Sequence, residues 1–454
     1  MKTHESRVVV LAETPVIRAI ITMAAPVILG MLVQVFYNMA DTFFIGKLND
    51  VNQLAASGIS FPFFMLMMSF GMVIGVGTSS LVSRFLGMKK RNEAGEIVSL
   101  SIVLNVIVAA ILTPILLIFL TQILHMLGAR EETIEPTRSY LFPLICCSVI
   151  TISNFSLGNI IRSEGAAFHA MTGMMLGAVT NIILDPIMIF TLKMEISGAA
   201  WATVIGNLVS VGYYLSCYAG KSLLRISFNR RIFRLDYLKG ILSIGVPSGL
   251  NHVFIGMAII ITNNLASNYG AVALAALGVA QRINSLAILF LVGLATGCQP
   301  LVGYNYGAKN RKRLFSIIKT SMALAVISGL VLSVIFAIFS RYTIAIFSKN
   351  QEVIKHGTLM LRAMALSAPF VGVVMICMNS LQAMGKAIPS LILSAGRQGV
   401  FFIPTLFLFT RFFGLNGLIF SQPTVDIMIS ILAALLLRFV VKHDKNLITE
   451  TSLP

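Results

Sequence analysis

The stretch "LVSRFLGMKKR" (Leu81–Arg91) is the end of a long apolar segment followed by a basic loop. It recurs 220 residues later as "LVGYNYGAKNR" (Leu301–Arg311). Two more pairs recur at the same offset: "LAASG" (Leu54–Gly58) with "LAALG" (Leu274–Gly278), and "NIIRSEG" (Asn159–Gly165) with "NSLQAMG" (Asn379–Gly385). Three matches at one spacing indicate an internal duplication, so we expect two related halves.

Composition places both halves in a membrane. Of the 454 residues, 57% are hydrophobic and 11% are charged. Apolar runs longer than about 18 residues recur along the chain, and each can cross a bilayer as a helix. The N-terminal segment does not read as a cleavable signal peptide, because its apolar run is short and Glu13 interrupts it.

We therefore predict an all-α polytopic membrane protein with twelve transmembrane helices in two six-helix lobes. The predicted lobes are residues 1–219 and 237–454, joined by a cytoplasmic connector at 220–236. Six helices per repeat make the repeats parallel and relate them by a pseudo-twofold axis along the membrane normal. That architecture suits a substrate cavity between lobes and alternating access by rocking. The predicted spans are 16–46, 53–84, 94–124, 134–161, 166–191, 197–219, 237–267, 272–304, 311–340, 352–383, 387–411 and 416–440.

The net charge of +17 follows membrane topology, and it does not indicate a nucleic-acid partner. Basic residues concentrate in loops on the side that holds both termini, as the positive-inside rule requires. We expect cytoplasmic N- and C-termini and a multi-pass position in a bacterial cytoplasmic (inner) membrane. The basic segments on that side are "RFLGMKKR", "KSLLRISFNRRIFRLDYLK", "KNRKRLFSIIK" and "RFVVKHDK".

Acidic residues deep in a span are rare and are functional candidates by default. The first half has two, Asp41 and Asp185. Oxygen-bearing residues at helical spacing form a stripe on each of three predicted helices, and we expect the stripes to converge. The three stripes are Gln34, Tyr37, Asn38 and Asp41; Asn181 and Asp185; and Thr203 and Asn207.

Two carboxylates that meet in a dry pocket cannot both be ionised cheaply. Such a pair can take up a proton, or it can bind a small hard cation that removes the repulsion. An alternative is that each acid pairs with a basic residue and holds helices together. The first half offers no Lys or Arg at that depth, since Arg162 lies near the cytoplasmic end.

Prolines and methionines add candidates for movement and for substrate contact. Pro26 and Pro186 are expected to bend their helices, and Pro186 directly follows Asp185. A static kink is an equally good interpretation of Pro26. Met171 and Met175 are candidates for lining a cavity that accepts many shapes, because thioethers are flexible and polarisable. The other candidates for lining the substrate cavity are Gln34, Tyr37, Asn38 and Asn207.

The second half has a different set of intramembrane charges. The position that matches Asp41 is Thr262. Arg282, Arg397 and Asp426 are the charges predicted inside its spans, and Asp426 aligns with Asn207. An acid near two basic residues favours a structural ion-pair network over an ion site.

Several motifs resemble the multidrug and toxic compound extrusion (MATE) family, and they are most similar to its DinF-like and MepA-like bacterial branch. The resemblance covers essentially the whole chain. The motifs are "APVILGMLVQVFYNMADTFFIG" (Ala25–Gly46), "GVGTSSLVSRFLG" (Gly75–Gly87), "LGNIIRSEG" (Leu157–Gly165), "NIILDPIMIF" (Asn181–Phe190) and "SGAAWAT" (Ser197–Thr203).

The resemblance implies an efflux antiporter that expels lipophilic, often cationic compounds in exchange for H⁺ or Na⁺. It also implies a coupling site in the N-terminal lobe, bordered by Gln34, Tyr37 and Asn38. Acids that other branches carry in helices 7, 8 and 10 are missing here, and Asp426 is the candidate for a substitute. The coupling positions, which would also be the Na⁺ ligands under sodium coupling, are Asp41, Asn181, Asp185 and Thr203.

Other classes of protein fit the sequence less well. A lipid-linked oligosaccharide flippase of related architecture is the alternative, but it should line its cavity with basic residues. A passive channel would not accumulate substrate, and a receptor would need a sizeable extramembrane module. No HExxH, P-loop or GxSxG constellation indicates an enzyme. We expect a monomer in the lipid bilayer, with small-molecule drugs or toxic compounds as partners and no cofactor beyond the coupling ion.

Overall fold

The computed structural model describes residues 2–220, 222–227, 229 and 232–444, and for residues 2–6 it describes the backbone alone. These residues form fifteen α-helices and no strand, which confirms the predicted all-α fold class. Four positions of the predicted connector (221, 228, 230 and 231) lie outside the described residues. So do residue 1 and residues 445–454 of the predicted lobes.

The first half of the chain contains nine α-helices, and the eighth ends in a single π-helical turn, Ile187–Thr191. Asp50 caps the N-terminus of α3 by accepting hydrogen bonds from the backbone N–H groups of Asn52 and Gln53. The helices are α1 (Lys2–Ala12), α2 (Val16–Gly46), α3 (Val51–Gly87), α4 (Arg91–Ile118), α5 (Leu120–Met126), α6 (Glu131–Cys146), α7 (Ser148–Ser163), α8 (Ala167–Pro186) and α9 (Glu195–Gly220).

The second half contains six α-helices, and a π-helical turn, Gly396–Val400, again interrupts the fifth span of the half. Asn310 and Asn350 cap two of the helices through their side-chain oxygens. The helices are α10 (Leu235–Ser267), α11 (Ala271–Gly307), α12 (Arg311–Phe347), α13 (Gln351–Ala383), α14 (Ala387–Ala395) and α15 (Phe402–His443).

Twelve membrane spans follow from these helices. Ten helical segments in the described part of the chain are long and apolar enough to cross a bilayer, and the bent pair α6 and α7 makes eleven. The segment Ala387–His443 has 57 residues. At 1.5 Å per residue it would be about 85 Å long, far beyond the roughly 30 Å hydrocarbon core. Gly414, with φ of 57°, breaks this segment into the last two spans.

The described residues divide into two compact units whose boundaries cut through two long helices. The first unit takes residues 1–10 and 29–252, and the second takes residues 11–28 and 253–454. The predicted lobes 1–219 and 237–454 differ from these units, because the first part of α2 packs with the second unit. The first part of α10 packs, in turn, with the first unit.

Glycines explain why those helix ends pack where they do. In the second unit, a Cβ at Gly297 of α11 would lie 2.5 Å from the Cα of Ala24 of α2. In the first unit, a Cβ at Gly245 of α10 would lie 1.9 Å from the carbonyl oxygen of Val73 of α3. Small residues let helix backbones approach closely in a membrane. The order of helices along the chain gives no sign of this exchange.

Candidate functional site

The first unit holds a polar cluster on α2, α8 and α9. Asp185 is fully buried at the end of α8, and Asn181 is buried one turn earlier. The Asn181 amide donates to Asp185 Oδ1 and to Thr203 Oγ1 of α9, at 3.3 Å in each case. Asn181 therefore joins two helices through one side chain.

Helix α2 reaches the same cluster through Tyr37 and Asp41. The Tyr37 hydroxyl lies beside Thr203, and both residues line the same cavity. The charge of Asp41 acts on Asp185, so the two carboxylates are electrostatic neighbours although they are far apart in sequence. The structure thus brings together Asp41, Asn181, Asp185 and Thr203, the four positions predicted for the coupling site.

Several oxygens of this cluster are buried without a partner. Asp41 Oδ1, Asn181 Oδ1 and Asp185 Oδ2 accept no hydrogen bond from any described residue. A buried polar atom with no hydrogen-bond partner is energetically costly, and in native proteins a bound ion or an ordered water usually satisfies such an atom. Carboxylate and amide oxygens are the ligands that small hard cations prefer. These three oxygens are suited to bind a cation or to share a proton.

No described basic residue forms an ion pair with Asp41 or Asp185. Within the described residues, every ion pair lies elsewhere. The described residues also contain no group of three or more His, Cys, Asp or Glu side chains that could hold a metal ion. The cluster instead combines two acids with an amide and a hydroxyl. The interpretation of Asp41 and Asp185 as halves of structural ion pairs has no support in this geometry.

A cavity adjoins the polar cluster inside the first unit. Its volume, counted as the space open to the centres of water-sized molecules, is about 140 Å³. One water needs roughly 10–15 Å³ by that measure, so the cavity can hold on the order of ten. Of the predicted cavity residues, Gln34, Tyr37 and Asn207 line it. Asn181 and Thr203 line it as well, so the cluster and the cavity share a wall.

Three predicted cavity residues do not line this cavity. Asn38 is exposed one position beyond Tyr37. Met175 is also exposed, and Met171 lies outside the lining. Met174 takes their place, because successive residues of a helix point about 100° apart and only one face of α8 meets the cavity. The lining methionine of α8 in this cavity is Met174, and Met171 and Met175 stay predicted substrate contacts.

Sequence reasoning missed other residues of the site. Tyr140 of α6 interacts electrostatically with Asp41, Asp185 and Tyr37. Asn154 of α7 donates to Asn207 Oδ1 at 2.8 Å. Neither stands in a polar stripe that would have singled it out.

Arg162 of α7 also lines the cavity, and its guanidinium donates to Asn159. The sequence placed Arg162 near the cytoplasmic end and gave it no role in the site. The structure adds one buried positive charge to the cavity wall.

The two predicted bending prolines lie in different settings. Pro26 is inside α2, which continues through it to Gly46. Pro186 is the last residue of α8, and the π-helical turn begins at the next residue. Such turns occur often at functional sites, where they interrupt regular hydrogen bonding. Asp185 therefore sits at the point where the helix changes its winding.

The predicted charge network of the second unit reduces to one pair. Arg397 Nε lies 2.9 Å from Asp426 Oδ1, and both side chains are buried. Gln422 donates to the same oxygen at 3.2 Å. Arg282 is exposed and forms no ion pair with any described residue, so it does not join the network.

These features define a class: a polytopic helical membrane protein with duplicated halves and a buried acidic cluster beside a polar cavity. The family model MatE matches residues 26–187 and 247–408, one match in each half. The chain belongs to the MATE family, and the family resemblance predicted from its motifs is confirmed.

Individual relatives agree along nearly the full length. The Multidrug export protein MepA of Staphylococcus aureus strain NCTC 8325 is 30% identical over 427 residues, which are 93% of this chain and 94% of MepA. An outward-facing multidrug resistance MATE family transporter of the MOP superfamily superposes with a TM-score of 0.91 at 27% identity, covering 97% of this chain and 98% of that one. A MATE structure in complex with MaL6 has a TM-score of 0.90 at 27% identity, covering 96% and 98%.

Proposed function

We propose that this protein is a secondary antiporter that exports lipophilic, often cationic compounds in exchange for H⁺ or Na⁺. The MepA relative is named a multidrug export protein, and the outward-facing neighbour is titled a multidrug resistance transporter. Membership of the same family supports export of small toxic molecules by this chain. We place it in a bacterial cytoplasmic membrane with both termini inside, because the basic loops favour that orientation.

One observation carries the coupling half of the proposal. Asp41 and Asp185 are electrostatic neighbours and form no ion pair with any described basic residue. The oxygens Asp41 Oδ1, Asn181 Oδ1 and Asp185 Oδ2 are buried and accept no hydrogen bond from the described part of the chain. An empty, ionised site of this kind is unfavourable in a low-dielectric interior. A proton or a sodium ion relieves it, so binding of the coupling ion releases free energy that can drive movement of the helices that hold the site.

Side chains shared by the polar cluster and the cavity suggest how ion binding changes the cavity. Asn181 donates to Thr203, Tyr37 lies beside Thr203, and all three side chains line the cavity. An ion that draws α2 and α8 together at the acids changes the cavity wall directly. Ion binding and substrate binding are thus linked through one set of side chains, and each ligand changes the affinity for the other.

The alternative, a flippase for a lipid-linked oligosaccharide, has weaker support. A pyrophosphate group needs several basic residues in the cavity, and Arg162 is the one Lys or Arg side chain among the described lining residues. We therefore favour drug export over lipid flipping.

The deciding experiment is transport in proteoliposomes with the sodium gradient and the pH gradient imposed separately. Ethidium, a lipophilic fluorescent cation, serves as the probe. For the parent protein we expect one of the two gradients to drive ethidium uptake against its own gradient. For Asp41→Asn and Asp185→Asn, we expect uptake to fall to the level of protein-free vesicles, because neither the proton nor sodium can then be exchanged.

Asp236→Asn is the matched control, because it removes a carboxylate at the exposed first turn of α10. It should transport as the parent does. Ethidium transport that persists at parental rates in both site variants would refute the coupling assignment. Gradient-independent equilibration by the parent would instead identify a passive pathway.

A further inference from the structure

An open groove on the second unit lies between the first turns of α12 and the last turns of α15. Both helices pack on α13. The groove has a volume of about 610 Å³, and basic and apolar residues share its walls. Its basic side chains are Arg311 and Lys319 of α12, and Arg438 and Lys442 of α15.

The basic residues on α12 stand at the edge of a membrane-length apolar segment. Residues 320–340 contain no charged side chain. These 21 residues span about 31 Å as a helix, which matches the hydrocarbon core of a bilayer. Lys319 is the last charged residue before that segment, so its ammonium group lies at the level of the lipid headgroups. Arg311 lies about two turns farther out.

Helix α15 repeats the arrangement on the other wall. Residues 427–437 are uncharged, and Arg438 is the first charged residue after them. Lys442 follows one turn later. Two neighbouring helices therefore place their first positive charges at the same membrane face, on the two sides of one groove.

Three of the four charges, those of Lys319, Arg438 and Lys442, are not neutralised by described protein groups. Lys319, Arg438 and Lys442 are exposed, and no described acidic residue forms an ion pair with them. The acid nearest in sequence, Asp444, is buried and pairs with Lys386 at 2.9 Å. Arg311 stacks over the ring of Phe315, which holds its guanidinium beside the groove.

Farther along α12, toward the centre of the membrane, apolar side chains line the groove. A second hollow on α12 shares Phe315, Lys319 and Met322 with the groove and extends it to Val326 and Ile327. The residues recur at four- and three-residue spacing, so they form one stripe along the helix. The site therefore presents positive charge at headgroup level and an apolar track that runs into the hydrocarbon region.

We propose that this groove binds an anionic phospholipid, with its phosphate among Lys319, Arg438 and Lys442 and an acyl chain along Phe315, Met322 and Val326. Basic pockets between helices at a membrane face are suited to anionic headgroups. Neither a soluble anion nor a zwitterionic lipid uses both features of the site. The proposal concerns the second unit alone and does not depend on the transport reaction.

The test uses fluorescence quenching by brominated lipids in vesicles. The single tryptophan, Trp201, is replaced by Trp201→Phe, and Phe315→Trp puts an indole on the groove wall. We expect brominated phosphatidylglycerol to quench this indole more strongly than brominated phosphatidylcholine at the same mole fraction. A basic residue near a membrane surface contributes about fivefold to the affinity for anionic lipid, so Lys319→Gln with Arg438→Gln should lower the preference at least about fivefold.

Arg341→Gln with Arg411→Gln is the matched control. These exposed residues lie on the same two helices, away from the groove. The control should keep the preference for phosphatidylglycerol of the Trp201→Phe, Phe315→Trp protein. Equal quenching of the groove indole by the two lipids in the Trp201→Phe, Phe315→Trp protein would overturn the proposal. So would a loss of preference in the control as large as that in Lys319→Gln with Arg438→Gln. Inorganic phosphate should not relieve the quenching, and displacement of the lipid by phosphate would assign the charges to a soluble anion instead.

Discussion

The buried carboxylates Asp426 and Asp185 differ in their hydrogen-bond and charge partners. This difference distinguishes a structural ion pair from a candidate ion site. Asp426 of the second unit has a guanidinium at 2.9 Å and an amide at 3.2 Å. Among the described residues, Asp185 of the first unit accepts a hydrogen bond from the Asn181 amide alone, and its second oxygen accepts none. A buried acid that already has a positive partner releases little free energy on binding a proton or a cation. A buried acid without one releases much more. This contrast supports our proposal that the coupling site lies in the first unit.

The same comparison predicts the effect of breaking the Arg397–Asp426 pair. Arg397→Met leaves Asp426 buried with no positive partner, which typically costs about 3–5 kcal/mol. We expect a lower midpoint of thermal unfolding in detergent. Adding Asp426→Asn to that variant should restore much of the loss, because the amide carries no charge and still faces Gln422.

Arg411→Gln, an exposed change on α15, is the control and should leave the unfolding midpoint unchanged. A single Arg397→Met variant as stable as the parent would show that the pair contributes nothing. A double variant no better than the single would show that packing of Arg397, not its charge, is what matters.

At the scale of elements, the π-helical turn after Asp185 is held by a close helix contact. A Cβ at Gly198 of α9 would lie 2.8 Å from the carbonyl carbon and oxygen of Met188, which are backbone atoms of that turn. The second unit repeats the contact, since a Cβ at Gly417 would lie 2.0 Å from the carbonyl oxygen of Phe409. In each half, a glycine at the start of the sixth span fits against the end of the fifth.

Gly198→Ala is therefore expected to destabilise the protein. The added methyl group meets backbone and not a flexible side chain, so the contact can be relieved only by moving α9 away from the turn. Such overpacking typically costs about 1–3 kcal/mol. The readout is the thermal unfolding midpoint in detergent.

Gly212→Ala on the same helix is the control, because a Cβ there has no atom within 4 Å. It should be neutral or stabilising by up to about 1 kcal/mol, since alanine favours helix more than glycine does. Equal midpoints for the two variants would refute the close contact.

At the scale of the whole molecule, each unit ties the segment after its sixth span to the loop between its fourth and fifth spans. In the first unit, Glu164 of the loop accepts hydrogen bonds from the Ser222 hydroxyl at 2.6 Å and the Leu223 N–H at 3.2 Å. In the second unit, Asp444 of the tail pairs with Lys386 of the loop. The acid lies on the loop in the first unit and after the last span in the second. The two contacts therefore join equivalent segments through residues that are not equivalent.

The Glu164 contact predicts a pH dependence of stability. Burial raises the pKa of Glu164 from 4.5 to about 7, although the hydrogen bonds from Ser222 and Leu223 and the charge of Arg7 act in the opposite direction. The folded state therefore holds this proton more tightly than the unfolded chain does. Its contribution to stability is present below about pH 4.5 and is lost as pH rises to about 7, by up to about 3 kcal/mol.

Glu164→Gln removes the titrating group, so the unfolding midpoint of the parent should fall relative to that of the variant as pH rises from 5 to 8. Glu135→Gln, at an exposed position of α6, should run parallel to the parent. Parallel curves for the parent and Glu164→Gln would contradict the raised pKa.

The twelve spans, the duplication and the polar stripes were determined by the sequence alone, because apolar length and helical periodicity are local properties. The sequence alone also singled out Asp41, Asn181, Asp185 and Thr203 as candidates, since few polar residues stand at that depth. Only the tertiary structure decided which helix faces meet: Met174 and not Met175 lines the cavity, and Tyr140 and Arg162 join the site. It also decided that the first parts of α2 and α10 pack in the other half's unit. Those outcomes depend on backbone contacts between helices far apart in the chain, and a single sequence without the fold does not specify them.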